Sequence, residues 1–168
     1  MSILRALDRT LMRIEGILLV VFLGAMVVLA FLQVVLRNLF GTGLLWADPL
    51  VRHFVLWAGF LGGAMATSGD RHISIDALTR FLSVRVKAGM HVVTNLFAAI
   101  ACSYLADAAL TFILSEKSAG STTVLNIPVW LGAAIVPAGY ALMAFHFMVR
   151  TVEAVLTVTR HRRERAAT

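Results

Sequence analysis

Gly16 to Leu36 reads GILLVVFLGAMVVLAFLQVVL, 21 positions without a charged side chain. A helix needs roughly 20 mostly apolar residues to cross a bilayer. The run is too long and uninterrupted for a cleaved signal peptide, and no small-x-small cleavage site follows it. It therefore reads as a first membrane span, closing near Arg37. The composition of the whole chain agrees. Of 168 residues, 60% are hydrophobic and 14% charged, and the mean hydropathy is +0.86. Apolar runs on this scale cannot all be buried in the core of a soluble domain of this length. The class is an all-α integral membrane protein with one domain. A single cysteine, Cys102, excludes an intrachain disulfide or a multi-cysteine metal site.

Three further spans follow. Asp48-Pro49 reads as a helix start, with Asp48 as N-cap and Pro49 in the first helical position. Counting from there gives a second span over 49–68. A connector over 69–89 leads to a third span over 90–115. A fourth runs over 124–149, with Pro128 near its start and Pro137 inside. Pro137 is expected to kink that helix, because proline removes a backbone donor and crowds the preceding turn.

Charge sets the orientation. Four spans put both termini on one side, and that side carries Arg5, Arg9, Arg13, Arg71, Arg80, Arg85, Lys87, Arg150, Arg160, Arg162, Arg163 and Arg165. The other side has Arg37, Arg52 and Lys117. Cationic loops stay cytoplasmic, so both termini are expected inside. The basic tail over 150–168, with RHRRER at 160–165, then reads as a topology signal rather than a nucleic-acid site. In the first fifteen residues Ile3, Leu4, Leu7, Leu11 and Ile14 recur at helical spacing. Arg5, Asp8, Arg9 and Glu15 fall largely elsewhere. That pattern predicts an amphipathic helix over 1–15, lying on the membrane surface before the chain turns inward.

Few residues suggest chemistry. His53 and His146 belong to opposite ends of their spans and cannot share a haem; His72, His91 and His161 belong to the connector, its exit and the tail. In and beside the connector stretch RHISIDALTR (71–80) lie His72, Asp76 and, just before it, Asp70, a thin set for zinc, which takes three or four ligands. It reads instead as an interfacial segment, with basic groups toward lipid headgroups and Ile75, Leu78, Phe81 and Leu82 on an apolar face. Asp107 stands alone in the third span. An acid there is costly and usually has a partner, so pairing with Arg52 or Arg37 is expected; a role in an ion path is the alternative. Gly59-x-x-x-Gly63 and Gly62-x-x-x-Ala66 allow close approach of another helix.

Several of these residues, taken in order, resemble one family. Gln33-Val34-Val35-Leu36-Arg37 closes the first span, and Trp46-Ala47-Asp48 with Arg52 opens the second. Gly59-Phe60-Leu61-Gly62-Gly63-Ala64 lies inside it, and His72-Ile73-Ser74-Ile75-Asp76 follows. Gly120, Leu125-Asn126-Ile127-Pro128-Val129-Trp130 and Pro137 come later. The arrangement resembles the small membrane subunit of TRAP (tripartite ATP-independent periplasmic) transporters. Many such subunits carry an acidic pair after the tryptophan; here Pro49 follows Asp48.

The resemblance implies a multi-pass bacterial inner-membrane subunit. It would work with a large multi-span transport subunit, which carries the sodium and substrate sites, and with a periplasmic binding protein that delivers an organic anion, often a carboxylate. The small chain would brace the large one and help dock the binding protein. No catalytic residue, cofactor or metal is expected. Arg37, Trp46, Asp48, Arg52, Gly59, Gly63, His72, Asp76, Asp107, Pro128 and Trp130 are the candidates for structural or partner contacts. The alternatives are a membrane anchor of a redox complex and a self-sufficient small transporter.

Overall fold

The computed structural model describes residues 2–68, 84–122 and 127–166. The RHISIDALTR stretch, with His72 and Asp76, lies outside them, as do Leu125 and Asn126. The described residues form five helices: α1 (Ser2–Phe40), α2 (Ala47–Ser68), α3 (Val84–Ala119), α4 (Val129–Ala133) and α5 (Ile135–Ala166). Among the described residues four stretches are long and apolar enough to cross a membrane: Ala6–Phe40, Ala47–Ser68, Gly89–Ala119 and Val129–Leu156.

Helix α1 differs from its expectation. Its 39 residues run without interruption, about 58 Å at ~1.5 Å per residue. No turn separates the amphipathic segment from the first span. The polar residues of its first turns do not all face outward either, since Glu15 is 2% exposed. Gly41, immediately after α1, has φ 64°, and Gly120, immediately after α3, has φ 67°. Both adopt the left-handed conformation that ends a helix with least strain when no Cβ is present.

The start of α2 also differs. Ala47 is already helical, and the amide of Leu50 donates to Trp46 O at 3.3 Å. Asp48 is thus within the first turn and not the N-cap, which leaves its carboxylate available for a side-chain partner.

Proline acts more strongly on the fourth span than a kink. The segment divides at Ala134 into the five-residue α4 and the long α5. Pro137 has no N–H to give Ala133 O, and its ring crowds that carbonyl. The chain responds with a short-range bond from Ala134 N to Leu131 O at 3.4 Å. Pro128 stands before α4 as its N-cap residue, with extended ψ of 131°. It pairs with Thr122 in an isolated antiparallel bridge, and Val129 N donates to Ser121 O at 3.0 Å.

The long helices pack in the order α1, α2, α5, α3, each mainly on its neighbour. The arrangement is a row with α1 and α3 on the flanks. α1 also reaches α5 near its own N-terminus, and α4 bridges α3 and α5. Val20, Val27, Phe31 and Val34 on α1, and Val93, Phe97 and Tyr104 on α3, point outward. In a bilayer those faces meet lipid or other protein. The buried apolar contacts are small: Ala64 and Leu61 on α2, and Ala99, Cys102, Ala144 and Phe147 between α3 and α5. Membrane helices associate through this kind of close van der Waals contact, since lipid is as apolar as leucine.

Candidate functional site: a polar seam through the row

Between α2 and α5, glycines let large side chains cross from one helix to the other. A Cβ at Gly139 would stand 2.6 Å from Phe60 Cδ1, and one at Gly63 would stand 2.6 Å from Met143 Cε. At Gly132 on α4 it would collide with the imidazole of His53. Aromatic rings lock the same region. Phe60 meets Tyr140 edge-on with centroids 5.2 Å apart, and Phe22 of α1 meets both Phe54 and Trp57 of α2. Trp57 Nε1 donates to Gly132 O at 2.7 Å. A buried indole N–H needs such a partner, and the carbonyl is accessible because residue 132 has no side chain.

At the loop end of the row, Gln33 Nε2 donates to Asp48 Oδ1 at 3.0 Å, joining α1 to α2. His53 Nδ1 lies 2.7 Å from Pro49 O on its own helix. Lys117 Nζ stands 5.4 Å from the centroid of the Trp130 ring, a cation–π contact between α3 and α4.

The end of the row that carries the N-terminus holds the most concentrated group. His146 on α5 is fully buried. Its Nδ1 lies 2.6 Å from Asp8 Oδ1, and its Nε2 lies 3.0 Å from Glu15 Oε1. Both acids belong to α1, seven residues or two turns apart, and so project from one face. Ser68, the last residue of α2, donates from Oγ to Asp8 Oδ2 at 3.2 Å. Arg150 Nη2 donates to Ser68 O at 2.5 Å. Three helices are thus tied together by five polar side chains.

The sequence reading missed this group. It placed His146 near one end of its span and dismissed it for want of a second histidine. Asp8 and Glu15 were expected largely off the apolar face of an amphipathic helix on the membrane surface. The available signal was the Asp8–Glu15 spacing of two helical turns together with a lone histidine and Arg150 one turn apart on the last span.

Other candidates are placed as follows. Asp48 and Gly63 make the helix-to-helix contacts given above, and Trp46 is half-buried. Gly59 is exposed with open space around it, so only Gly63 of that glycine pair serves a close approach. Arg37 lies in the last turn of α1, where a cation suits the helix dipole. Arg37 and Arg52 are both exposed. The expected pairing of Asp107 with either arginine is overturned: among the described residues there is no such ion pair, and Asp107 is exposed. α3 turns Ala99, Cys102 and Ile113 inward, which puts Asp107 on the outward face. α1 and α2, moreover, lie across α5 from it.

Fold and seam together define a four-span integral membrane protein whose buried polar side chains bind helix to helix. Comparison with known proteins supplies the particular family. The model for "Tripartite ATP-independent periplasmic transporters, DctQ component" matches residues 26–157. The chain is 26% identical to a C4-dicarboxylate TRAP transporter small permease protein of Pseudomonas aeruginosa, over 95% of this chain and 89% of that one. It is 29% identical to a TRAP transporter small permease protein of Haemophilus influenzae, over 59% of this chain and 62% of the relative. A Rhodobacter capsulatus C4-dicarboxylate small permease is 30% identical over 64% of this chain and 48% of its own length. In the last two cases the chain spans only about half to two thirds of the relative. The chain belongs to the DctQ component family of TRAP transporters and is a multi-pass protein of the inner membrane.

Proposed function

We propose that this chain is the brace of a sodium-coupled, binding-protein-dependent transporter for an organic anion, of the C4-dicarboxylate class named for two of its relatives. Both termini face the cytoplasm, as the twelve-to-three distribution of cations favours. The large subunit carries the moving parts and the solute site. The small chain holds it in the membrane, takes no part in covalent chemistry, and offers its outer loops to the periplasmic binding protein.

One observation carries this reading: the outward carboxylate of Asp107. An acid facing hydrocarbon is costly unless it meets water or a protein partner. It stands in a line with Ser103, Thr111 and Ser115 at four-residue steps, all on the exposed flank of α3. The hydroxyls of Ser103, Thr111 and Ser115 bond to carbonyls of their own helix, so the carboxylate is the group that asks for an outside partner. A cationic or hydrogen-bonding side chain of the large subunit fits that requirement. The buried polar groups, by contrast, are used to join helices of this chain to each other.

Reconstitution tests the proposal. Proteoliposomes containing the large subunit, the binding protein and this chain take up a C4-dicarboxylate when a sodium gradient is applied, and omission of this chain abolishes uptake. Sodium-driven uptake by this chain alone would refute the brace.

A further inference from the structure

We propose that the Asp8–His146–Glu15 group is a proton-binding site, and that the proton it holds fastens the first turns of α1 to α5. The argument is a count of hydrogens. Nδ1 faces a carboxylate oxygen at 2.6 Å and Nε2 faces another at 3.0 Å. Neither pair of heavy atoms is attractive at such distances without a hydrogen between them. Two hydrogens are required, and a neutral imidazole supplies one.

The missing hydrogen belongs between Nε2 and Glu15. Asp8 has a second donor in Ser68 Oγ. Glu15 has none: its Oε2 is buried without a hydrogen-bond partner among the described residues. With the ring neutral and its hydrogen on Nδ1, Glu15 would be a buried carboxylate facing a lone pair. An uncompensated buried charge of that kind is strongly destabilising. One added proton removes the conflict, whether it resides on Nε2 as an imidazolium or on Oε1 as a carboxylic acid, and the count is two in both cases.

Among the described residues, the groups around the site are the following. From α1 the ionisable groups that face the ring are Asp8 and Glu15. α2 contributes Ser68, which has no charge. On α5 itself, Arg150 lies one turn on and donates to the Ser68 carbonyl, with Glu153 a further turn along the same face. From α3, Ala99 and Cys102 pack with the adjacent Phe147. The proton-dependent contact is present where the extra proton is bound and is lost as rising pH removes it. Loss leaves two carboxylates around a neutral ring, and the N-terminal turns of α1 separate from α5.

Two measurements on the full-length chain in lipid nanodiscs test this. The first is the ¹⁵N spectrum of histidine-labelled protein near neutral pH, assigned with His146→Gln, together with the carboxylic-acid band in the infrared, assigned with Glu15→Gln. Protonation of both ring nitrogens, or one ring N–H with a Glu15 carboxylic acid, supports the site. A neutral ring with both carboxylates ionised overturns it. The second is the distance between spin labels at Arg9→Cys and Val152→Cys, both exposed positions, in a Cys102→Ser background. A narrow distribution near neutral pH is expected to broaden as the pH is raised far enough to strip the extra proton from the group. Glu15→Gln keeps it narrow throughout, because its amide N–H supplies the missing hydrogen. Equal broadening of wild type and Glu15→Gln with rising pH would show that the fastening does not depend on this proton.

Discussion

Gln33 Nε2 donates to Asp48 Oδ1 at 3.0 Å, so the end of the first span is held to the start of the second by two side chains fifteen residues apart. The carboxylate is free for this because Asp48 lies inside the first turn of α2 rather than capping it. Gln33→Leu and Asp48→Ala should each lower the melting temperature in detergent slightly, and the double change should cost less than their sum. The coupling should be at most about 1 kcal/mol, as for other exposed polar contacts. Strict additivity would show that the contact contributes nothing.

The α2–α5 seam predicts a sharp contrast among glycines. Gly139→Leu should destabilise the chain most, since even a Cβ meets Phe60 Cδ1 at 2.6 Å and Phe60 Cβ at 2.8 Å, and Gly63→Leu should cost less, since its Cβ meets the flexible tip of Met143. Overpacking of this kind costs typically 1–3 kcal/mol. Gly59→Ala, in open space, should be neutral or stabilising by up to about 1 kcal/mol through helix propensity. Melting temperatures of the three variants decide the matter; equal losses would contradict the seam.

Trp57 is predicted to be worth more than its hydrogen bond. Trp57→Phe removes the donor to Gly132 O and should cost about 1 kcal/mol. Trp57→Ala also removes the edge contact with Phe22, whose centroid is 5.1 Å away, and should cost about 3 kcal/mol or more. Thermal denaturation with tryptophan fluorescence from Trp46 and Trp130 measures both.

Asp107→Leu should leave the stability of the isolated chain nearly unchanged, because no ion pair within the described residues is broken. Recovery of the complex with the large subunit should fall. Affinity purification through a tag on this chain, scored by the large subunit retained, checks the second half; a drop in melting temperature of the isolated chain would instead restore an internal role.

The sequence carried the class and the presence of four apolar helices because both depend on local quantities. Hydropathy over about 20 residues decides whether a segment belongs in lipid, and no tertiary contact changes that for Gly16–Leu36. Pro137 likewise marked a real break, since a missing N–H and a crowded carbonyl act within one turn. The ordered motifs from Gln33 to Pro137 were enough to bring the family into view.

What only the tertiary structure decided is which polar groups meet. His146 is 131 and 138 residues from Glu15 and Asp8, and the two-turn spacing of the acids marks a shared face without naming the side chain that fills it. Asp107 shows the converse: a lone acid in a span demands a partner, but its direction depends on which face of α3 packs on α5. The glycines that mattered most, Gly132 and Gly139, lie opposite the glycine motif that stood out in the sequence. Spacing along one helix fixes a face, and the neighbour that fills it is set by how the helices are ordered in the row.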